Sequence, residues 1–143
     1  MKRLMTGLEA LARGAAEEGV ALLAVQAGPA LEGFSAAAHR EEMRCDVAPG
    51  ARMAVELAAG ASLARGRAMA AVGDLLDAAE PLRGAVLAGL PGLVVVAVDD
   101  PGLAEGGLAG DARALARALD LPCLEPGDAA ECAEHLRAAF LLS

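Results

Sequence analysis

The chain has no tryptophan, no tyrosine and only two phenylalanines, Phe34 and Phe140, among 143 residues. Stacking on nucleobases or flat cofactor rings therefore has almost no platform. The residues are nevertheless 56% hydrophobic, so the core must be filled by Ala, Leu and Val. Such small side chains let helices lie close to a sheet but supply few large anchors. Lysine is nearly absent as well, with Lys2 standing against eleven arginines. A net charge of -8 without clustered cations excludes nucleic acid as a partner, because phosphates call for grouped Lys and Arg. The Ala, Gly and Arg bias reads as codon composition rather than function.

Long apolar runs are missing too. The longest uncharged stretch, Gly84 to Val98, contains the turn Gly89-Leu90-Pro91-Gly92 and is too short to span a bilayer. After Lys2 and Arg3, Glu9 and Arg13 interrupt any apolar signal core. No membrane association and a cytoplasmic location are expected. The three cysteines, Cys45, Cys123 and Cys132, show no CxxC spacing and read as buried small hydrophobes in a reducing compartment. Cys132 and His135 can share a helix face, but one such pair falls short of a zinc ligand set, and no metal is expected. A GK[ST] phosphate loop, a GxGxxG after a strand and a GxSxG elbow are all lacking.

What is present is alternation. Thr6, with Glu9 three residues on, opens a helix that Gly19 ends. Val20 to Val25 is a continuous apolar run suited to a strand buried on both faces. Pro29 opens a helix to about Glu42, Arg44 to Ala48 is a weaker strand, and Pro49-Gly50 turns into a helix over Ala51 to Ala64. Arg67 to Val72 is a strand, Asp74 caps a helix that Pro81 kinks or breaks, and Leu93 to Val98 is the clearest strand. Asp111 starts a helix to Leu119, Pro122 to Leu124 reads as a short last strand, and Asp128 caps a final helix to Leu142. The pattern predicts one domain over residues 1–143, a three-layer α/β/α architecture with a mostly parallel sheet. Ligands of such sheets bind beyond the carboxyl ends of the strands. Those ends are Gln26 to Pro29, Ala48 to Arg52, Gly73-Asp74, Asp99 to Gly110 and Glu125 to Gly127.

Candidate chemistry there is sparse. Asp99 and Asp100 can bind Mg²⁺ or a hydroxyl-rich ligand, or simply solvate a strand end before Pro101-Gly102. The segment Gly102 to Gly110 can cradle an anion, although Glu105 opposes one, and a surface loop is the plainer reading. Glu56 interrupts an otherwise apolar stretch, Met53 to Ala61. It is either an acid at a site or interface, or part of a solvated face. Helical periodicity puts Met53, Leu57 and Gly60 on one face with Glu56 toward its edge.

Several segments carry a resemblance. They are Gly7-Leu8-Glu9-Ala10-Leu11-Ala12-Arg13-Gly14-Ala15, Val55 to Ala64, Glu80-Pro81-Leu82, Gly92 to Val96 running into Asp99-Asp100-Pro101-Gly102, Leu124 to Asp128, and Ala139 to Ser143. In this order and spacing the chain resembles the pyrimidine-binding domain of the catalytic subunit of indolepyruvate:ferredoxin oxidoreductases. The resemblance implies a thiamine-diphosphate-binding fold whose cofactor lies between this domain and a pyrophosphate-binding domain. It also implies a glutamate that hydrogen-bonds the aminopyrimidine ring and drives its tautomer shift. At the matching position stands Ala51. Glu56 is no substitute, since five residues along a helix is a turn of about 140° from the original direction and about 7.5 Å of rise. Other cofactor-facing segments are also reduced, at Gln26 to Pro29, Ala71 to Asp74, and Ala104 to Gly106, and no pyrophosphate domain is expected after residue 143.

The expectation is thus a degenerate, non-catalytic module, not an enzyme on its own, with no cofactor. It would act as a homo-oligomer or beside a pyrophosphate-domain partner subunit. The alternatives are one subunit of a split thiamine-diphosphate-dependent 2-oxoacid:ferredoxin oxidoreductase, or a repurposed small-molecule binder with a cleft at Gly28, Arg52, Glu56, Asp99 and Asp100.

Overall fold

The structure, a computed structural model, describes residues 4–64, 66–98 and 111–143. Asp99, Asp100, the glycine-rich segment to Gly110 and Arg65 lie outside the described residues. Helix α1 (Gly7–Glu17) begins with the expected capping box: the Thr6 hydroxyl accepts from Glu9 N–H and the Glu9 carboxylate accepts from Thr6 N–H. Strand β1 (Val20–Gln26), α2 (Pro29–Arg40), β2 (Cys45–Ala48), α3 (Ala51–Leu63) and β3 (Arg67–Val72) follow within a residue or two of their predicted ends. Then come α4 (Ala79–Ala88), β4 (Leu93–Ala97), α5 (Ala112–Ala118) and α6 (Ala129–Leu142).

Two expectations are corrected. The helix after Asp74 does break, but at Ala78–Ala79 rather than at Pro81. A short 3₁₀ turn, Leu76–Ala78, precedes α4 with Leu75 at its N-cap position and its Leu76 N–H donating to the Asp74 carboxylate, and Pro81 sits in the first turn of α4, where its missing N–H costs nothing. Pro122 to Leu124 forms no strand. The three residues are exposed, and Pro122 has no N–H to give a ladder.

All pairs in the four-stranded sheet are parallel, in the order β2-β1-β3-β4. From β1 the chain moves outward through α2 to β2. It then crosses back over β1 through α3 to β3 and continues through α4 to β4. Helices α1, α2 and α6 cover one face, where Leu23, Val25, Phe34, Met69, Leu136 and Phe140 pack. Helices α3 and α4 cover the other, where Ala24, Ala48, Ala54, Ala58, Ala70 and Val72 pack. This gives three layers, α/β/α. The two faces differ in kind: one has the only phenylalanines, the other is built almost wholly from alanine and valine, which draws α3 tight against the sheet. Phe34 is wholly buried, and truncating it to Ala costs about 3–5 kcal/mol.

At the amino ends of the strands, Glu18 ties three elements together. Its carboxylate accepts from Arg67 at the start of β3 and, at 3.3 Å, from Arg137 of α6, while Arg67 lies over the Phe140 ring. Gly92, which enters β4, needs to be glycine: its φ is 73° and a Cβ would sit 3.2 Å from the Gly66 carbonyl oxygen. No helix among the described residues is long and apolar enough to cross a membrane.

Candidate functional site

The sheet order reverses between β1 and β3, so a ligand crevice is expected at their carboxyl ends. Three of the predicted segments do meet there. Ala27 N–H donates to the Ala48 carbonyl at 2.7 Å, joining the loops after β1 and β2. Gly73 N–H donates to the Gln26 side-chain oxygen at 2.8 Å, joining the loops after β1 and β3. Gln26 thus spans the crevice between the two central strands. Asp74, the next polar residue, is engaged by Leu76 N–H. The third wall is the start of α3, which Gly50 precedes without any side-chain cap.

Ala51 is the first residue of α3, and it is 1% exposed, part of the same buried cluster as Ala48, Ala54 and Ala70. The buried face of α3 runs Ala51, Ala54, Val55, Ala58 and Ser62. Met53, Leu57 and Gly60 do share a face, as periodicity predicts, but it points to solvent, together with Arg52 and Glu56. Glu56 lies on an exposed face of the chain, on the side of α3 away from the sheet. Glu56 accepts from Arg52 at 2.9 Å, and Arg52 also donates to Glu80 of α4 at 2.7 Å. The Glu56 hydrogen bond and the Glu80 charge hold the Arg52 guanidinium above its ordinary pKa. These pairs are exposed, so solvent screens them and they add little to stability.

Of the predicted cleft, then, Arg52 and Glu56 are joined to each other, and no hydrogen bond among the described residues links them to Gly28, which precedes α2. Asp99 and Asp100 fall outside the described residues. The buried-cysteine expectation holds in part. Cys132 is buried and Cys45 half-buried, and burial pushes both thiols up from the ordinary value, whereas Cys123 is exposed. No group of three His, Cys, Asp or Glu side chains among the described residues is placed to hold a metal ion.

A feature not anticipated from sequence is an open groove of about 320 Å³ beside α5, lined by Arg113, Arg117, Leu121, Cys123 and Glu125. Its sequence signal is the four-residue spacing of the two arginines. Arg113 is already engaged by Asp111 and Glu125, so the groove offers little net positive charge.

No family model matches the chain. It is 33% identical to the indolepyruvate oxidoreductase subunit IorA of Archaeoglobus fulgidus, over 99% of its own length. To the subunit of the same name from Pyrococcus abyssi it is 32% identical, over 98% of its length. The chain is a relative of this subunit. It spans about a quarter of the curated IorA relatives, 25% and 23% of their lengths, so their whole activity does not carry over with the likeness.

Proposed function

We propose that this chain is a non-catalytic counterpart of the pyrimidine-binding domain of indolepyruvate oxidoreductases, and that it acts by association. The observation that carries this reading is Ala51: buried, at the start of α3, beside the strand ends where the resemblance calls for a glutamate. Thiamine diphosphate does not fit the residues present. Its aminopyrimidine would need a carboxyl group at position 51, and a buried methyl group can neither donate nor accept a proton. The nearest carboxylate along α3, that of Glu56, is on the opposite side of the helix and bound to Arg52. Gln26, meanwhile, is committed to Gly73 across the crevice.

The test is thermal unfolding with thiamine diphosphate and Mg²⁺. No shift is expected. A binder at a hundredfold excess over its Kd would add about 2.7 kcal/mol, which is roughly 5–10 °C for a chain of this size. A saturable rise of that order overturns the proposal.

A second reading is favoured by the similarity to IorA over nearly the whole chain. In it the chain is one piece of a divided oxidoreductase, with the missing polar groups supplied by a pyrophosphate-domain partner. Co-purification with such a protein and restored 2-oxoacid oxidation would support it. Absence of both, in lysate of the source cell, overturns it.

A further inference from the structure

We propose that the groove beside α5 is a binding site for a small zwitterion, a free α-amino acid with an apolar side chain. Its volume of about 320 Å³ lies at the lower end of small-molecule sites. Arg113 and Arg117 stand four residues apart on α5, which puts both guanidiniums along the same side of the helix. Leu121, Cys123 and Glu125 complete the lining. The segment that carries them is pinned where it starts. Leu121 N–H donates to the Ala116 carbonyl at 2.9 Å, and the Leu121 side chain packs against the cluster between α3 and the sheet.

The charges say what kind of ligand fits. Arg113 is committed to Asp111: its Nε donates there at 3.1 Å, and that hydrogen bond and charge hold the guanidinium above its ordinary pKa ahead of any effect of Glu125. Glu125 has a single partner among the described residues, Arg113 at 3.3 Å, and its side chain is 69% exposed. The exposed Arg117 side chain has no hydrogen bond or ion pair among the described residues. A ligand ammonium can therefore engage Glu125 without stranding Arg113, which keeps Asp111. A ligand carboxylate finds its cation in Arg117. With Asp111 the groove holds two guanidiniums and two carboxylates, so its own field favours neither sign, and the chain's net charge of -8 opposes a bare anion. A molecule that carries both charges and no net one meets neither objection. Leu121 and Cys123 leave an apolar strip for its side chain.

Equilibrium dialysis of the 143-residue chain against L-leucine reads binding, and the rate at which the neutral reagent N-ethylmaleimide modifies Cys123 reads its place. Leucine should bind saturably in the millimolar range or tighter and slow the Cys123 reaction in step, leaving Cys45 and Cys132 as they were. Leucine amide, which lacks the carboxylate, and N-acetyl-leucine, which lacks the ammonium, should each bind about tenfold more weakly, the loss of one charge-assisted contact. Arg117→Gln and Glu125→Gln should weaken leucine by a similar factor, while Arg83→Gln on α4, outside the groove, changes nothing. All three positions are exposed, so the variants should melt close to the parent. Absence of leucine binding, binding that leaves the Cys123 rate unchanged, N-acetyl-leucine binding as tightly as leucine, or an Arg117→Gln variant that binds as the parent does each overturns the site. The groove shares no residue with the crevice at β1 and β3. Thiamine diphosphate binding would overturn the proposed function and leave the leucine result standing.

Discussion

Restoring the missing carboxylate tests the account of the crevice most directly. Ala51→Glu adds four heavy atoms to a position that is 1% exposed and belongs to the alanine- and valine-rich core cluster between α3 and the sheet. Overpacking of this kind costs about 1–3 kcal/mol, and burying the polar end without a partner about 1–3 more. The uncapped first turn of α3 offsets part of this, by about 0.3–1 kcal/mol, through its free N–H groups and dipole. The net loss is on the order of 3 kcal/mol, which lowers Tm by roughly 6–12 °C in a chain of this length. Ala51→Gln should lose a similar amount.

The pair separates size from charge. Burial raises the folded-state pKa of the carboxyl introduced by Ala51→Glu above its unfolded value of about 4.3. The protonated form is therefore the better tolerated one. The stability deficit of Ala51→Glu is smallest below that unfolded value and grows as pH rises through the folded one, while that of Ala51→Gln stays level. Differential scanning fluorimetry from acidic to neutral pH reads both. If Ala51→Glu melts with the parent at neutral pH, position 51 faces room and water, and the claim that this surface has lost its cofactor chemistry fails.

Two further outcomes follow from the titrating groups. Burial raises the Cys45 and Cys132 thiols while Cys123 is exposed. Ellman's reagent on the folded chain at mildly alkaline pH should therefore show one fast thiol and two slow ones, and three equivalent thiols in denaturant. Loss of the fast phase in Cys123→Ser identifies it, and three fast thiols in the folded chain would contradict the packing of α6. Asp111 caps α5 and is held below its ordinary pKa, first by the Arg113 side chain and then by backbone N–H groups. A depressed carboxyl pKa gives stability that is present above the unfolded value and lost as pH falls through the folded one. Asp111→Asn keeps an acceptor at the cap, so its acid unfolding profile should be flatter than the parent's below about pH 4. Parallel profiles would remove Asp111 from the acid-sensitive groups.

Much of the fold was legible because its signals are local. Thr6 and Glu9 make a capping box within four residues, and Asp111 and Asp128 cap their own helices. The strands β1 and β3 are short apolar runs between glycines, and alternation with helices implies a parallel sheet whatever the details. Ala51 could be singled out only through the family resemblance, by counting nine residues back from Gly60. The failures share a cause. Pro122 to Leu124 has strand-like composition, but a strand needs a neighbour's edge to bond to, and none among the described residues reaches it. The outward direction of Met53 and Leu57 was hidden because a helix of alanines, valine and leucine has two apolar faces. Periodicity groups residues by face, but not which face meets the sheet.

By itself, then, the sequence determined the elements, their caps, the parallel class and the absence of a carboxyl group at position 51, all properties of residues near one another along the chain. Tertiary structure alone decided that the alanine side of α3 is the buried one. The sheet strands under it present Ala24, Ala68 and Ala70, and the helix gains most contact where both surfaces are small enough to approach closely. That choice turned Met53 and Leu57 outward and joined Gln26 to Gly73 across the crevice. Position 51 thereby became a buried corner of the core.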